Sequence, residues 1–185
     1  MNKNDVEIEI KFPLNTPQET KQFLNKYAKL VLTDEYQKDI YFTPAHRDFL
    51  AVKYPYEWLR LRQTDAGSSI TYKHFHPENV KETVYCDEFE TPVGDVNTMQ
   101  KILLSLDFKE IVIIEKTRTS WLLDDVEISI DEVQGLGVFI ELEAKKTFSD
   151  PTEGKAHLYE VLKRINADVG AEILKGYPRI LLNLS

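Results

Sequence analysis

Apolar and polar residues alternate with a period of two in the first segment of the chain. Over residues 6–12, valine, isoleucine and phenylalanine alternate with glutamate and lysine, which is typical of a β-strand with one buried face. Residues 16–19 then read as a capping box with proline at the first helical position, and apolar residues follow at helical spacing. The pattern predicts a strand over 6–12 and an amphipathic helix over 17–30.

The same alternation recurs along most of the chain. It predicts strands over 35–42, 58–63, 70–75, 83–91, 111–121, 126–133 and 138–145. Helical spacing predicts helices over 95–106, with Asp95 as the cap, and over 151–166 and 169–183. Short connections favour antiparallel neighbours. The chain is therefore predicted to be α+β, with about eight strands in a sheet large enough to close.

Charged residues occupy one face of nearly every predicted strand. They occur as same-face pairs, in the patterns Glu-x-Glu-x-Lys, Arg-x-Arg, Glu-x-Glu and Lys-x-Arg. A polar face on a single strand is usually the solvent side of a sheet, but recurrent charge pairs on separate strands favour a common function. The charged set is Glu7, Glu9, Lys11, Arg60, Arg62, Lys73, Glu88, Glu90, Lys116, Arg118, Glu127, Asp131, Glu141 and Glu143.

A closed sheet with these residues inside would have a cationic wall and an anionic wall. Arginine and lysine can hold phosphate oxygens, and carboxylates can hold Mg²⁺ or Mn²⁺ through hard oxygen ligands. Each buried charge would then have a partner, which removes the cost of burying it alone. The combination suits a di- or triphosphate chain bound with a divalent metal.

The composition of the chain narrows the classes of protein to which it can belong. The 185 residues are 42% hydrophobic and 29% charged, as expected for one globular domain over 1–185. With 23 basic and 31 acidic residues the net charge is −8, which argues against nucleic-acid binding. The sequence contains no apolar stretch near membrane-spanning length, and its start has no signal-peptide core. It contains a single cysteine, Cys86. We therefore expect a cytoplasmic location away from membranes.

Seven motifs, taken in order, resemble one known family. They are VEIEIKF, DIYF, LRLR, TYK, DEFET, EKTRTSW and DEVQGLGVFIELE. The chain is similar to the CYTH, or triphosphate tunnel metalloenzyme, superfamily over nearly its whole length, and most similar to its CyaB-like branch, the class IV adenylyl cyclases. This resemblance implies an eight-stranded antiparallel barrel, closed into a triphosphate tunnel, with flanking helices.

The resemblance also implies roles for individual residues. The metal ligands would be Glu7, Glu9, Glu141 and Glu143, with Asp131 or Glu88 completing a second metal site. The catalytic, substrate-binding cations would be Lys11, Arg60, Arg62, Lys73, Lys116 and Arg118. A weaker match places Lys175 and Tyr177 in an element that closes over the tunnel. His74 and His76 stand where many members have a short turn, and we expect them at a tunnel mouth, with a structural or substrate-edge role.

Three functions stay open at this point. The first is an adenylyl cyclase that converts ATP to cyclic AMP and pyrophosphate with Mg²⁺ or Mn²⁺. The second is a triphosphatase that hydrolyses inorganic triphosphate, thiamine triphosphate or a nucleoside triphosphate with the same charged residues. The third is a polyphosphate- or nucleotide-binding barrel without turnover. The oligomeric state is left open, with a homodimer among the alternatives.

Overall fold

The structure is a computed structural model that describes residues 8–83, 85–174 and 176–184. Eight strands form one sheet in the order β1-β8-β7-β6-β2-β3-β4-β5. The strands are β1 Glu9–Pro13, β2 Lys29–Pro44, β3 Glu57–Thr64, β4 Ser68–His76, β5 Tyr85–Val93, β6 Phe108–Leu123, β7 Val126–Val133 and β8 Gly137–Ala144. The helices are α1 Pro17–Tyr27, α2 Val96–Ser105, α3 Pro151–Ile165 and α4 Tyr177–Leu181.

The predicted α+β class and eight-stranded antiparallel sheet are confirmed. Within the described ranges, the chain divides into two compact units. The first comprises 8–35 and 116–174, and the second comprises 36–83, 85–115 and 176–184. Closure of the sheet into a tunnel, and a single domain over 1–185, stay predictions.

The first unit buries one face of its strands beneath two helices. Ile10 of β1 and Leu142 of β8 are almost fully buried, and so are Leu158 and Val161 of α3. Burial of such side chains contributes about 1.5–3 kcal/mol each. Because successive strand residues point to opposite faces, this packing turns the charged residues of the same strands to the other face.

The second unit uses the same arrangement on a smaller scale. Ile40, Phe42 and Leu61 pack against Leu103 of α2. The helix begins at the predicted cap, where the Asp95 carboxylate accepts hydrogen bonds from the next helical amides. None of the helices in the described part of the chain is both long and apolar enough to cross a membrane.

Two predicted helices are shorter in the structure. α1 ends at Tyr27 because the chain becomes extended at Ala28 and enters β2, and Thr16 makes no side-chain capping bond. The helix predicted over 169–183 was wrong in extent, since Tyr177–Leu181 is the only helical part of that range among the residues that the structure describes. The preceding segment bonds along β1 instead, with the amides of Gly170 and Ile173 donating to β1 carbonyl groups. The Ile173 amide donates to the Lys11 carbonyl and is therefore not available for the bond to residue 169 that an α-helix over this range would need.

Candidate active site

Charged side chains of the first unit lie on the strand face opposite its apolar core. The register aligns Glu9 of β1 with Glu143 of β8, and Glu143 with Glu127 of β7. We call these three residues the carboxylate row. Neighbouring strands are about 4.8 Å apart, so the row places three glutamates at adjacent positions on one face of the sheet. The Lys145 ammonium contacts two of them, 2.8 Å from Glu143 Oε2 and 2.9 Å from Glu127 Oε2.

Five further charged residues form the Asp131 cluster, which consists of Lys11, Lys116, Arg118, Asp131 and Glu141. Arg118 donates from Nε and Nη2 to the two Asp131 oxygens at 2.6 and 2.7 Å, and Lys116 Nζ donates to Oδ2 at 2.7 Å. Glu141 accepts from Lys11 at 2.8 Å and from Arg118 at 3.2 Å. Asp131 is only 1% exposed, so this is a buried network of three cations and two anions.

The network shifts the pKa values of its members toward the charged forms. Burial opposes ionisation of Asp131, but Lys116 and Arg118 outweigh it and lower the pKa of that carboxyl to about 2. Burial likewise opposes ionisation of Glu141, yet Arg118 and Lys11 hold its pKa well below the usual range. Burial alone would lower the pKa of Lys11, but Glu141 and Glu9 raise it above the ordinary lysine value. Asp131, Glu141 and Lys11 are therefore charged at neutral pH.

The second unit holds the predicted arginines on one face of β3. Asp39 of β2 binds Arg62 through two hydrogen bonds, Nε to Oδ1 at 2.6 Å and Nη2 to Oδ2 at 2.7 Å. The sequence analysis did not single out Asp39. A signal was present, because Asp39 alternates with the core residues Ile40 and Phe42 and therefore points to the charged face.

Arg60 lies beside Arg62 and is held by a different set of groups. Its Nη2 donates to Thr71 Oγ1 at 3.0 Å and to Glu90 Oε2 at 3.3 Å. Burial would raise the pKa of Glu90, but the Thr71 hydroxyl and the two arginines lower it. Arg60 Nε is buried and has no hydrogen-bond partner in the part of the chain that the structure describes. A buried donor without a partner costs about 1–3 kcal/mol, and a role in binding is one explanation for its presence.

Lys73 and the two histidines after it lie on opposite faces of β4. Lys73 Nζ pairs with Glu88 Oε2 at 3.0 Å. Arg60 aligns with Thr71 of β4, and Lys73 is two positions after Thr71, so Lys73 and Arg60 lie on the same face of the sheet. His74 and His76 stack on each other with centroids 4.4 Å apart, and His76 contacts Asp87 at 2.9 Å. By strand alternation their side chains point away from the Lys73 face. A substrate-edge role for these histidines stays a prediction.

Several predicted metal ligands are paired with cations. Asp131 and Glu141 are bound by arginine and lysine, Glu88 pairs with Lys73, and Glu143 pairs with Lys145. Among the described residues, no group of three or more His, Cys, Asp and Glu is arranged to hold a metal ion. Glu7 and Lys175 lie outside the described residues. The predicted roles of the individual site residues therefore stay predictions.

The donor chemistry of the carboxylate row nevertheless fits a hard divalent cation. Glu9, Glu143 and Glu127 supply only oxygen ligands, as Mg²⁺ and Mn²⁺ prefer. The Lys145 ammonium shows that two of these carboxylates can both contact one cation. Binding of a metal by this row stays a prediction.

Comparison with known proteins identifies the family. The model of the CYTH domain family matches residues 5–177. The chain belongs to the CYTH domain family. A relative, Methanocaldococcus jannaschii MJ0240, which is provisionally named an adenylate cyclase, is 34% identical over 175 residues, covering 93% of this chain and 96% of its own. The resemblance deduced from the sequence motifs is thus confirmed.

Solved structures of other proteins share this fold. The PH1819 protein of Pyrococcus horikoshii OT3 superimposes with a TM-score of 0.77 at 26% identity, covering 96% of this chain and 98% of its own. HpAC1 from Hippeastrum superimposes with a TM-score of 0.67 at 18% identity, covering 97% of both chains, which shows a shared fold. That protein is described as an adenylyl cyclase candidate with a dominant triphosphatase activity. The CYTH superfamily comprises metal-dependent triphosphate tunnel enzymes.

Proposed function

We propose that this CYTH protein is a metal-dependent enzyme that acts on a triphosphate, with an adenylyl cyclase as the leading candidate. The observation that carries the proposal is the Asp131 cluster, in which Lys11 and Lys116 are buried with charged partners. Buried ion pairs bring little net stability, because desolvation offsets their attraction. Such a network, placed on the face away from the core, supports a role in binding a highly charged substrate.

The cations of the first unit are proposed to bind phosphate oxygens. Arg118 donates to both Asp131 and Glu141, so its guanidinium plane is held in one orientation before substrate arrives. Lys11 and Lys116 are likewise held by carboxylates. Preorganised donors of this kind stabilise charge that develops on a leaving phosphate, without reorganisation during the reaction. Asp131 would then serve to position Arg118 and Lys116.

The cations of the second unit are proposed to bind phosphate as well. Arg62 is oriented by Asp39, and Arg60 keeps a buried Nε donor without a partner among the described residues. Guanidinium groups match phosphate geometry through bidentate hydrogen bonds. Lys73 of β4 lies on the same face of the sheet as these arginines of β3, and it would add a point charge there.

The carboxylate row is proposed to hold the metal. Glu9 and Glu143 are its principal ligands, Glu127 is available beside them, and Glu7 and Glu141 complete the set that the family resemblance implies. A bound Mg²⁺ or Mn²⁺ would supply Lewis-acid charge at the phosphate oxygens. The carboxylates themselves contribute anionic oxygen, which an amide at the same position could not replace.

Two reactions use these groups differently. In the cyclase, the ribose 3′-oxygen attacks the α-phosphorus, the bond to the β-phosphate breaks, and pyrophosphate leaves. In a triphosphatase, water attacks the terminal phosphorus, the bond from that phosphorus to the bridging oxygen breaks, and the diphosphate leaves as orthophosphate forms. The relative from Methanocaldococcus jannaschii supports the first, and the dominant triphosphatase activity described for the Hippeastrum protein supports the second as an alternative.

Product analysis distinguishes these candidates. Purified protein is incubated with ATP, inorganic triphosphate and thiamine triphosphate, each with Mg²⁺ or Mn²⁺, and the products are separated by chromatography. A Glu143→Gln preparation purified in the same way controls for contaminating phosphatases. Cyclic AMP and pyrophosphate in equal amounts would support the cyclase, whereas orthophosphate without cyclic AMP would support the triphosphatase.

The same samples test a binding role without turnover. Tight ATP binding in chelator, with no product from any substrate, would overturn the enzyme proposal and favour a polyphosphate- or nucleotide-binding barrel. Metal-dependent turnover of any one triphosphate would exclude that role. Mg²⁺ or Mn²⁺ as the preferred metal, a cytoplasmic location and the oligomeric state stay predictions.

A further inference from the structure

One ammonium group lies inside the carboxylate row. Lys145 follows directly after β8, and its amide donates to the Asp125 carbonyl at 2.8 Å. This hydrogen bond fixes the backbone position of Lys145. Its Nζ atom lies 2.8 Å from a Glu143 oxygen and 2.9 Å from a Glu127 oxygen. The charge therefore sits between two carboxylates that face each other across the β7–β8 ladder.

Electrostatics explains why a cation is needed at this position. Carboxylates directly opposite each other on neighbouring strands repel, and Glu9 is next in the same row on β1. A lysine ammonium is a compact point charge, so one group can contact both glutamates at hydrogen-bond distance. Lys145 thus balances part of the row's negative charge within the folded chain.

In the proposed function a divalent metal binds the same carboxylate row. The ammonium and the metal are both cations, so they cannot occupy the space between Glu127 and Glu143 together. We propose that Lys145 is an internal counter-ion that neutralises the carboxylate row in the metal-free protein and competes with the divalent cation for it. This inference rests on the proposed function, in which the row holds the metal.

Metal binding in the absence of substrate tests the competition. The free Mn²⁺ concentration is measured by electron paramagnetic resonance during titration of the full chain. In Lys145→Met, whose side chain has similar length but no charge, the Mn²⁺ dissociation constant should fall on the order of tenfold, because one unit charge at contact distance is removed. Lys145→Arg keeps the charge and should stay within about threefold of the unchanged protein.

The adjacent lysine provides a matched control. Lys146 carries the same charge but pairs with Asp125 Oδ2 at 2.6 Å, outside the carboxylate row. Lys146→Met should leave the Mn²⁺ dissociation constant within about twofold, because its half-exposed ammonium is paired with Asp125 and not with a carboxylate of the row. An equal gain in Mn²⁺ affinity in both methionine variants would show that the gain comes from the change in net charge alone, and it would overturn the proposal.

Thermal unfolding gives a second measurement that needs no turnover. In chelator, Lys145→Met should have a lower Tm than the unchanged protein, because the glutamates lose their counter-ion. Saturating Mn²⁺ should raise the Tm of Lys145→Met by more than it raises that of the unchanged protein, since tighter binding to the native state stabilises it further. A Tm in chelator equal to that of the unchanged protein would contradict the counter-ion role.

The outcomes separate this inference from the proposed function. If the unchanged protein binds Mn²⁺ and Lys145→Met binds it equally or more weakly, the competition is wrong while the metal-dependent enzyme stands. If Lys145→Met binds Mn²⁺ more tightly and no triphosphate is turned over, the competition stands and the enzyme proposal fails. If neither form binds Mn²⁺, with or without inorganic triphosphate, both are overturned.

Discussion

Asp39 and Arg62 face each other across the β2–β3 ladder and form a bidentate pair, with N–O distances of 2.6 and 2.7 Å. The carboxylate is buried, with 3% of Asp39 exposed, so the pair is shielded from water and holds the guanidinium plane in one orientation. Asp131 holds Arg118 in the same way in the first unit. Each unit therefore contains one predicted phosphate-binding arginine that is fixed by a buried aspartate.

We expect Arg62→Lys to lower kcat/KM on every triphosphate tested by at least about tenfold, because lysine keeps the charge but loses the planar fork. Steady-state kinetics with ATP and inorganic triphosphate would measure this. Arg164→Lys is the control, since Arg164 is half exposed and pairs with the exposed Asp124, where an ion pair contributes little. A change of preference among nucleotides, with unchanged turnover of inorganic triphosphate, would contradict the assignment of Arg62 to phosphate.

The metal ligands are tested by isosteric amides. Glu9→Gln and Glu143→Gln should each lower kcat by more than about 100-fold at moderate Mg²⁺, because the metal requires anionic oxygen. Circular dichroism should show an intact fold. Glu132→Gln should retain activity, since Glu132 pairs only with Lys21 in the described contacts and lies on the opposite face of β7. Near-normal turnover by Glu9→Gln or by Glu143→Gln would show that the substituted residue is not a metal ligand.

Neighbouring positions on β4 distinguish its two faces. Lys73→Ala should lower kcat/KM on inorganic triphosphate by at least about tenfold, because it removes a charge from the Arg60 face. His74→Ala and His76→Ala should stay within about threefold on the same substrate, because the two rings stack with each other on the other face. The same assay on ATP decides their role: altered preference would support a tunnel-mouth position, and unchanged preference a structural one.

Acid stability depends on an ion pair outside the proposed site. The Lys146 ammonium, together with His157, lowers the pKa of Asp125 from 3.8 to about 2. A carboxyl whose pKa is lowered by folding stabilises the native state above its ordinary pKa and loses that contribution as the pH falls. We expect Asp125→Asn to be less stable by up to about 1 kcal/mol at pH 6, as for an exposed pair. The difference should shrink from pH 4 to pH 2 in urea unfolding curves, and a constant difference would contradict the pair's role.

The packing of α3 against the sheet predicts a larger loss of stability. Leu158 is fully buried in the first core, so Leu158→Ala should lower the free energy of unfolding by about 2–5 kcal/mol through lost burial and a cavity. Leu174→Ala, at a position that is 48% exposed, should cost well under about 1 kcal/mol. Urea unfolding followed by circular dichroism measures both, and equal effects would show that α3 does not complete the core.

Alternation alone predicted most of the strands and their charged faces. It works because a period of two places every second residue on the same side of a strand, whatever the strand pairs with. Lys116 and Arg118 could therefore be assigned to one face without knowledge of their partners. The Asp95 cap and the family motifs were equally local signals. The C-terminal helix was overestimated because its apolar spacing is compatible with a helix, whereas Gly170 and Ile173 actually donate to β1.

The sequence by itself determined the fold class, the family and the set of charged residues, since all three depend on local periodicity and motifs. Only the tertiary structure decided which charges contact each other. Asp39 reaches Arg62 across 23 positions and Asp131 reaches Lys116 across 15, and such pairings depend on strand register, which no local pattern specifies. For the same reason the ammonium of Lys145 lies between Glu127 and Glu143, where two strands bring together carboxylates that are distant in sequence.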